Sequence, residues 1–415
     1  MGFGTVGSGV YEVLDRNRET VRKKAGEPIE IKYILNRRDL PGSPVEDLVV
    51  HEIGTILEDP ETGLVVETMG GTSPAYEYVK SCLQAGKHVV TSNKNLVAAH
   101  GTELLAIARE KRVSFLFEAS VGGGIPIIRT INESLAGDVV EEISGILNGT
   151  TNYILTKMFE DGMDFTEALA KATELGYAEA DPTADVEGLD AGRKVAIMAT
   201  SAFHSQVKFS DVYTEGITKI TAADVNYAKE MGNVIKLIGI ARNTSNGIEA
   251  GVYPMMIDKK HPLATVRDSF NAVFVHGDAV GDTMFYGRGA GELPTASAVV
   301  GDVMDVTRNI VWNCTGRIGW SAYKELPIKE FADVKNRFFI RMQVSNEPGV
   351  LAAIAKVFGD HKVSIERVIQ EQAKAAKAEL VIGTSAVKEY HLQDALEELK
   401  EMPIVSEISS IIREY

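Results

Sequence analysis

The chain has 415 residues, 45% of them hydrophobic, with 43 Lys+Arg against 58 Asp+Glu and a formal net charge of −15. At roughly 150 residues per domain this is material for two to four domains with cores of their own, not for a small disulfide-stapled module. The acidic balance argues against a broad basic surface for nucleic acid, and two cysteines, Cys82 and Cys314, are too few for a disulfide framework and fit a reducing compartment.

Alternating helical and strand patterns over residues 1–118 predict a helix-flanked parallel sheet. Gly2-Phe3-Gly4-Thr5-Val6-Gly7 matches G-x-G-x-x-G and opens a helix to about Lys24, so its amides and the positive helix end can receive a pyrophosphate. The central strand that should precede the first glycine is missing, since only Met1 stands before it; either the true start lies upstream or the domain is damaged. Ile29–Leu35 reads as a strand that ends in Asn36-Arg37-Arg38, with no acidic residue at its tip for a ribose 2′-hydroxyl. Arg37 and Arg38 favour a 2′-phosphate, hence NADPH over NADH. They also read as plain solvated arginines, and Asp39 stays open as a ribose ligand. Leu64–Met69 is a second strand, an amphipathic helix follows Ser73-Pro74 to Gln84, and His88–Thr91 is a short buried strand after Gly86. Thr91-Ser92-Asn93-Lys94-Asn95 stands at that strand's C-terminal end, where open α/β sheets bind ligands; Lys94 either meets a carbonyl or cofactor there or is a surface residue. A helix at about Gly101–Lys111 leads to Val113–Glu118.

In Phe117–Pro126 the Glu118 carboxylate adjoins a glycine-rich turn whose carbonyls can converge, an oxygen-only set suited to a hard cation. A tight crossover explains the glycines equally well. From Gly122 to about Asp333 the pattern is α+β. Helices are expected at Phe165–Leu175, Asp190–Phe203 and Ala222–Met231, and strands at Val139–Leu147, Gly247–Met256 and Ala272–His276. A helix at about Pro294–Arg308 is expected to return to the first domain. The densest polar stretch runs from Gly176 through Glu179 and Asp185 to Lys194. Asp190 and Lys194, spaced i,i+4, share one helix face. That spacing usually means a surface ion pair, but Val195-Ala196-Ile197-Met198 follows at once, and a lysine held beside a carboxylate in a cleft can donate a proton.

Glu325–Asp333 reads as a connector. The tail, Phe338–Val344, Gly349–Phe358, Val363–Ile369, Ala378–Thr384, His391–Met402 and Ile404–Ile412, spells βαββαβ, a ferredoxin-like unit. Lys374–Lys377 reads as a solvated hairpin turn. The eight histidines form no H-E-x-x-H or Cys/His set, and P-loop and G-x-S-x-G motifs are missing, so zinc, kinase and hydrolase readings lack residues. Asn148-Gly149-Thr150 matches a glycosylation acceptor but has no secretory context. No apolar run approaches the ~18 residues of a membrane span and no signal peptide is visible, so a cytoplasmic protein without a membrane partner is expected.

Taken in order, Gly2–Gly9, Thr91–Val97, Phe117–Pro126, Gly145–Leu155 (GILNGTTNYIL), Glu174–Lys194 and Gly287–Ala296 (GRGAGELPTA) resemble the homoserine dehydrogenase family with a C-terminal ACT regulatory domain, over essentially the whole chain. The resemblance implies an α/β Rossmann-like nucleotide-binding domain at 1–121, completed by about 287–315. It further implies an α+β catalytic and dimerisation domain at 122–330 and a βαββαβ ferredoxin-like ACT domain at 335–415. It implies reduction of L-aspartate 4-semialdehyde to L-homoserine with NAD(P)H, on the route to threonine and methionine. Lys194 then resembles the family's proton donor, Lys94 a second lysine at substrate and nicotinamide, and Asp190 the acid that positions Lys194. Glu179 and Asp190, with Asp185, match carboxylates for the substrate ammonium. Gly2 to Gly7, Ser92, Gly176, Gly289 and Gly291 match cofactor contacts. Glu118, Val121, Gly123 and Ile125 match a monovalent-cation site (Na or K). Asn346-Glu347-Pro348-Gly349-Val350-Leu351 resembles the ACT effector turn, with Asn346, Gly349, Val350 and Leu351 as contacts for threonine. Asn346 stands where Asp is common and Lys362 where Gly is common. A homodimer or homotetramer is implied. The competing readings are a dehydrogenase of another amino-acid semialdehyde and a non-catalytic amino-acid sensor.

Overall fold

The computed structural model describes residues 1–316, 322–370 and 377–415. In the first domain Leu64–Glu67, His88–Thr91 and Phe115–Leu116 form a parallel sheet. Helix Glu292–Val311 enters this domain from the far end of the second. Its Ala296, Val299, Val300, Val303 and Val306 pack against Val10, Val13 and Leu14 of helix Thr5–Arg16 and against Val90 of the sheet. An apolar stripe of this kind is what holds an otherwise isolated helix to a remote partner.

The strand expected over Ile29–Leu35 is paired only at Ile34 and Leu35, which join Val49 and Val50. The reason lies beside it. Met1 takes the place of one residue of a central strand: its amine donates to the Val66 carbonyl at 2.7 Å, its carbonyl accepts from Thr68 N, and Gly2 N donates to Leu35 O. Ile29–Tyr33 and Leu64–Val66 line a cavity of about 630 Å³. A strand needs a ladder partner to hold its backbone. A second difference matters more for the site. The helix expected near Gly101 begins at Lys94, because the Asn93 side chain accepts from Leu96 N and caps it.

The second and third domains share one mixed sheet. Among the described residues its order is Gly281–Arg288, Phe270–Gly277, Val140–Ile146, Asn233–Thr244, Gly247–Asp258, Val405–Glu414, Lys335–Ser345, Lys377–Thr384 and Ile365–Gln370. The terminal strand crosses the boundary, with Arg413 and Glu414 parallel to Met255 and Met256. Behind it, the Arg413 guanidinium joins Glu389 (2.7 and 3.0 Å) to Glu215 (2.7 Å) and faces the Tyr253 ring. Helix Gly149–Glu160 and strands Asn233–Thr244 and Gly281–Arg288 are additions to the sequence reading. The helix is buried from Thr150 through Thr156 and so has no polar face to mark its period. Strand Asn233–Thr244 is a continuous buried run, ambiguous between helix and strand. The tail folds in the expected βαββαβ order around its own core of Phe338, Ile340, Ile354, Phe358, Leu392 and Leu396. The turn read at Lys374–Lys377 lies mostly outside the described residues. Among those residues no helix is long and apolar enough to cross a membrane.

Candidate functional site

Helix Leu189–Phe203 opens at Gly188, whose φ of +79° makes the left-handed turn into it, and runs buried along most of its circumference. Asp190 and Lys194 are 5% and 7% exposed. The Lys194 ammonium donates to Asp190 Oδ2 at 2.7 Å and to the Leu147 carbonyl at 2.6 Å. An ammonium carries three N–H donors, so one is left for a ligand. The other Asp190 oxygen, Oδ1, lies 2.5 Å from the Lys94 ammonium. Lys94 belongs to the first domain and Lys194 to the second, so one carboxylate grips a lysine from each side of the interdomain seam.

Burial opposes the charge on Asp190, yet the two ammoniums outweigh it and hold its carboxyl below the usual range. Burial pushes Lys194 below the ordinary lysine value and Lys94 adds to this, against the pull of Asp190. Asp185 is raised by burial and by the nearby Asp190 charge, against a hydrogen bond from Asn148. A lysine whose pKa is lowered, fixed at a seam between domains, gives up its proton more readily than a solvated one.

Two residues of this site escaped the sequence reading. Asn148 Nδ2 donates to Asp185 Oδ1 at 2.7 Å and to Asp190 Oδ2 at 2.9 Å. Glu67, fully buried at the end of its strand, accepts from Thr91 Oγ1 (2.5 Å), Met69 N (2.7 Å) and Asn93 Nδ2 (3.4 Å), and so braces the residue that caps the Lys94 helix. The asparagine ahead of the Leu96-Val97 run is the capping signal that could have placed this helix start; Glu67, ending a strand, carried no signal.

The opening glycine turn is shaped for close backbone approach. Gly2 has φ of +86°, and a side chain on Gly7 would meet Gly2 O at 2.4 Å. Together with the free amides at the start of helix Thr5–Arg16, this cradle fits the phosphates of a dinucleotide. Arg37 and Arg38 are exposed at the end of the next strand. Asp39 is engaged by His51 Nε2 at 3.0 Å, while His51 Nδ1 meets Asn36 O. Ser92 is half-buried, its N–H on Glu67 O. A side chain on Gly289 would strike the Asn271 amide at 2.0 Å, and one on Gly123 would strike Gly289 itself at 2.7 Å, so the 121–125 turn lies against the loop that carries Gly289 and Gly291.

Other expected residues stand apart. The Glu118 carboxylate, expected at a cation site, accepts from the backbone amides of Ile127, Ile128 and Arg129 at 2.6, 2.9 and 2.7 Å, where it anchors the entry to the second domain. Glu179 is exposed, and no described bond joins it to Asp190; its loop is tied down by Thr150 Oγ1 on Tyr177 O. Gly176, with φ of +75° and its N–H on Thr173 O, closes the helix Phe165–Glu174, a backbone duty that accounts for a glycine there. In the third domain Gly349 makes the left-handed turn into helix Val350–Asp360; Val350 is buried, Leu351 and Asn346 exposed.

Residues 2–118 match the homoserine dehydrogenase NAD-binding domain, residues 126–304 the homoserine dehydrogenase family and residues 338–403 the ACT domain. The homoserine dehydrogenase of Bacillus subtilis is 41% identical over 100% of this chain and 96% of its own length, and that of Corynebacterium glutamicum 43% identical over 100% and 94%. A solved homoserine dehydrogenase from Thiobacillus denitrificans superposes with a TM-score of 0.93 at 40% identity, covering 100% of this chain and 96% of that one. A hyperthermophilic archaeal homoserine dehydrogenase in complex with NADPH superposes with a TM-score of 0.64 at 25% identity, over 74% of this chain and 95% of that one.

Proposed function

Since the chain belongs to the homoserine dehydrogenase family and is an NAD(P)-dependent oxidoreductase acting on a CH–OH group, we propose that Lys194 is its proton donor and that Lys94 and Asp190 complete the reacting centre. The observation that carries this is the single carboxylate of Asp190 shared between two lysines of different domains, with one Lys194 N–H to spare. The glycine turn Gly2 to Gly7 would hold the phosphates of the nicotinamide cofactor, which when bound would supply the hydride for the carbonyl carbon of L-aspartate 4-semialdehyde. Lys194 gives its spare proton to the carbonyl oxygen and stabilises the negative charge that grows there. Asp190 keeps the ammonium protonated and aimed, and Lys94 closes the seam from the other side. Asp185 and Glu179 meet the substrate ammonium.

Arg37 and Arg38 receive the 2′-phosphate of NADPH, a preference supported by the engagement of Asp39 with His51 and by the NADPH held in the archaeal relative. Glu118 with the carbonyls of Val121, Gly123 and Ile125 would hold a monovalent cation. The ACT domain binds threonine at Asn346, Gly349, Val350 and Leu351 and lowers the rate, as suits a cytoplasmic homodimer or homotetramer on the route to threonine and methionine. The deciding experiment follows nicotinamide absorbance with homoserine and each oxidised cofactor, with and without threonine and with sodium or potassium as the only salt. Faster turnover with NADP⁺ and a rate that falls with threonine are expected. Equal rates with both cofactors would remove the role of Arg37 and Arg38, and an unchanged rate with threonine the role of the ACT turn.

A further inference from the structure

Asn148 is the asparagine of the Asn-Gly-Thr triplet that follows strand Val140–Ile146, and it is 6% exposed. Its Oδ1 accepts from Thr151 N at 2.9 Å, capping helix Gly149–Glu160. A backbone N–H can only donate, so this bond settles which end of the amide is which. The NH₂ end must then face the two carboxylates, one hydrogen to Asp185 Oδ1 and one to Asp190 Oδ2. The preceding residue supplies the Leu147 carbonyl that accepts from Lys194. Gly149 is required at the next position, since a side chain there would meet Ser269 O at 2.7 Å.

We propose that Asn148 is a positioning residue for the reaction: its amide sets the distance and orientation of Asp185 and Asp190 with two donors and no charge, so that Lys94 and Lys194 are the cations on Asp190. This rests on the reading of Lys194 as proton donor. A cation at position 148 would compete with Lys194 for Asp190, and an anion would repel both carboxylates. A neutral donor pair does neither, and it also satisfies one buried and one half-buried acceptor whose loss of partners is costly.

The test compares Asn148→Ser, Asn148→Asp and Lys194→Ala in the direction of aldehyde reduction. Serine and aspartate both keep a cap for Thr151 N, so the helix start survives. Binding of NADPH, read by fluorescence quenching, reports whether the fold does. With cofactor binding unchanged, Asn148→Ser is expected to lose on the order of tenfold to a hundredfold in kcat/KM, the worth of hydrogen bonds to charged acceptors. Its acid limb moves to higher pH, because Asp185 loses the donor that favours its ionised form. Asn148→Asp moves the alkaline limb to higher pH, because added negative charge holds the proton on Lys194. If Asn148→Ser keeps the parent rate and pH profile while Lys194→Ala is crippled, Asn148 is a helix cap and nothing more. Loss of NADPH binding by the serine variant, in step with its activity, would likewise reduce Asn148 to a structural role. If Lys194→Ala keeps its rate, the reading of the whole site falls, and this one with it.

Discussion

Replacing Asp190 by asparagine probes the centre most directly. The carboxylate is 5% exposed and carries Lys94 at 2.5 Å, Lys194 at 2.7 Å and Asn148 at 2.9 Å. Asparagine keeps the shape and removes the charge. The buried Lys194 ammonium is then left beside the half-exposed Lys94 without their shared anion, and breaking the buried Lys194–Asp190 pair from one side costs about 3–5 kcal/mol. The cheapest relief is loss of a proton from Lys194, whose pKa burial and Lys94 already lower and which only Asp190 and, more weakly, Asp185 raise. Reduction needs the ammonium, so its rate falls as pH rises through the lysine pKa, and a further lowering brings that fall to lower pH. Turnover at neutral pH should drop by about 10²–10⁴-fold, the range of a lost general acid. The assay is NADPH consumption with aspartate semialdehyde over a pH series, with NADPH binding measured alongside. A variant that turns over at the parent rate with an unmoved alkaline limb would falsify the assignment of Asp190 and Lys194.

Lys194→Ala should cost on the order of 10²-fold or more in kcat, whereas Glu179→Ala should mainly raise KM for the amino-acid substrate; steady-state kinetics separate the two. Replacing Arg37 and Arg38 together by alanine should raise KM for NADPH and leave that for NADH nearly unchanged. Equal effects on both cofactors would show that the arginines are simply solvated. Arg413→Met should lower stability by about 3–5 kcal/mol, because it removes the cation from Glu389, 2% exposed, and leaves it the neutral Asn336 amide at the junction of the second and third domains; thermal unfolding reads this as a drop in Tm. On acidification the contribution of Asp190 to stability is present above the free aspartate value near ~3.9 and is lost as pH falls through its depressed folded value. Acid unfolding of Asp190→Asn should therefore be shallower in that window than that of the parent.

What could be read along the chain was whatever is encoded within one element or one turn. The i,i+4 pair Asp190 and Lys194, the glycines that open the first helix and the βαββαβ order of the tail are all local patterns of period, spacing and turn chemistry. The cap at Asn93 was also local, although the helix start was placed several residues too late. The tertiary structure decided the rest. It carried Lys94 from the first domain onto Asp190, turned the Glu118 carboxylate to the amides of Ile127 to Arg129, joined the tail's last strand to Met255 and Met256, and made a bridge between two acids out of the Asn148 amide. Each of these is a meeting of segments remote in sequence. Periodicity reports which face of an element is buried, but a polar group's partner is known only when the fold has brought the second element to it.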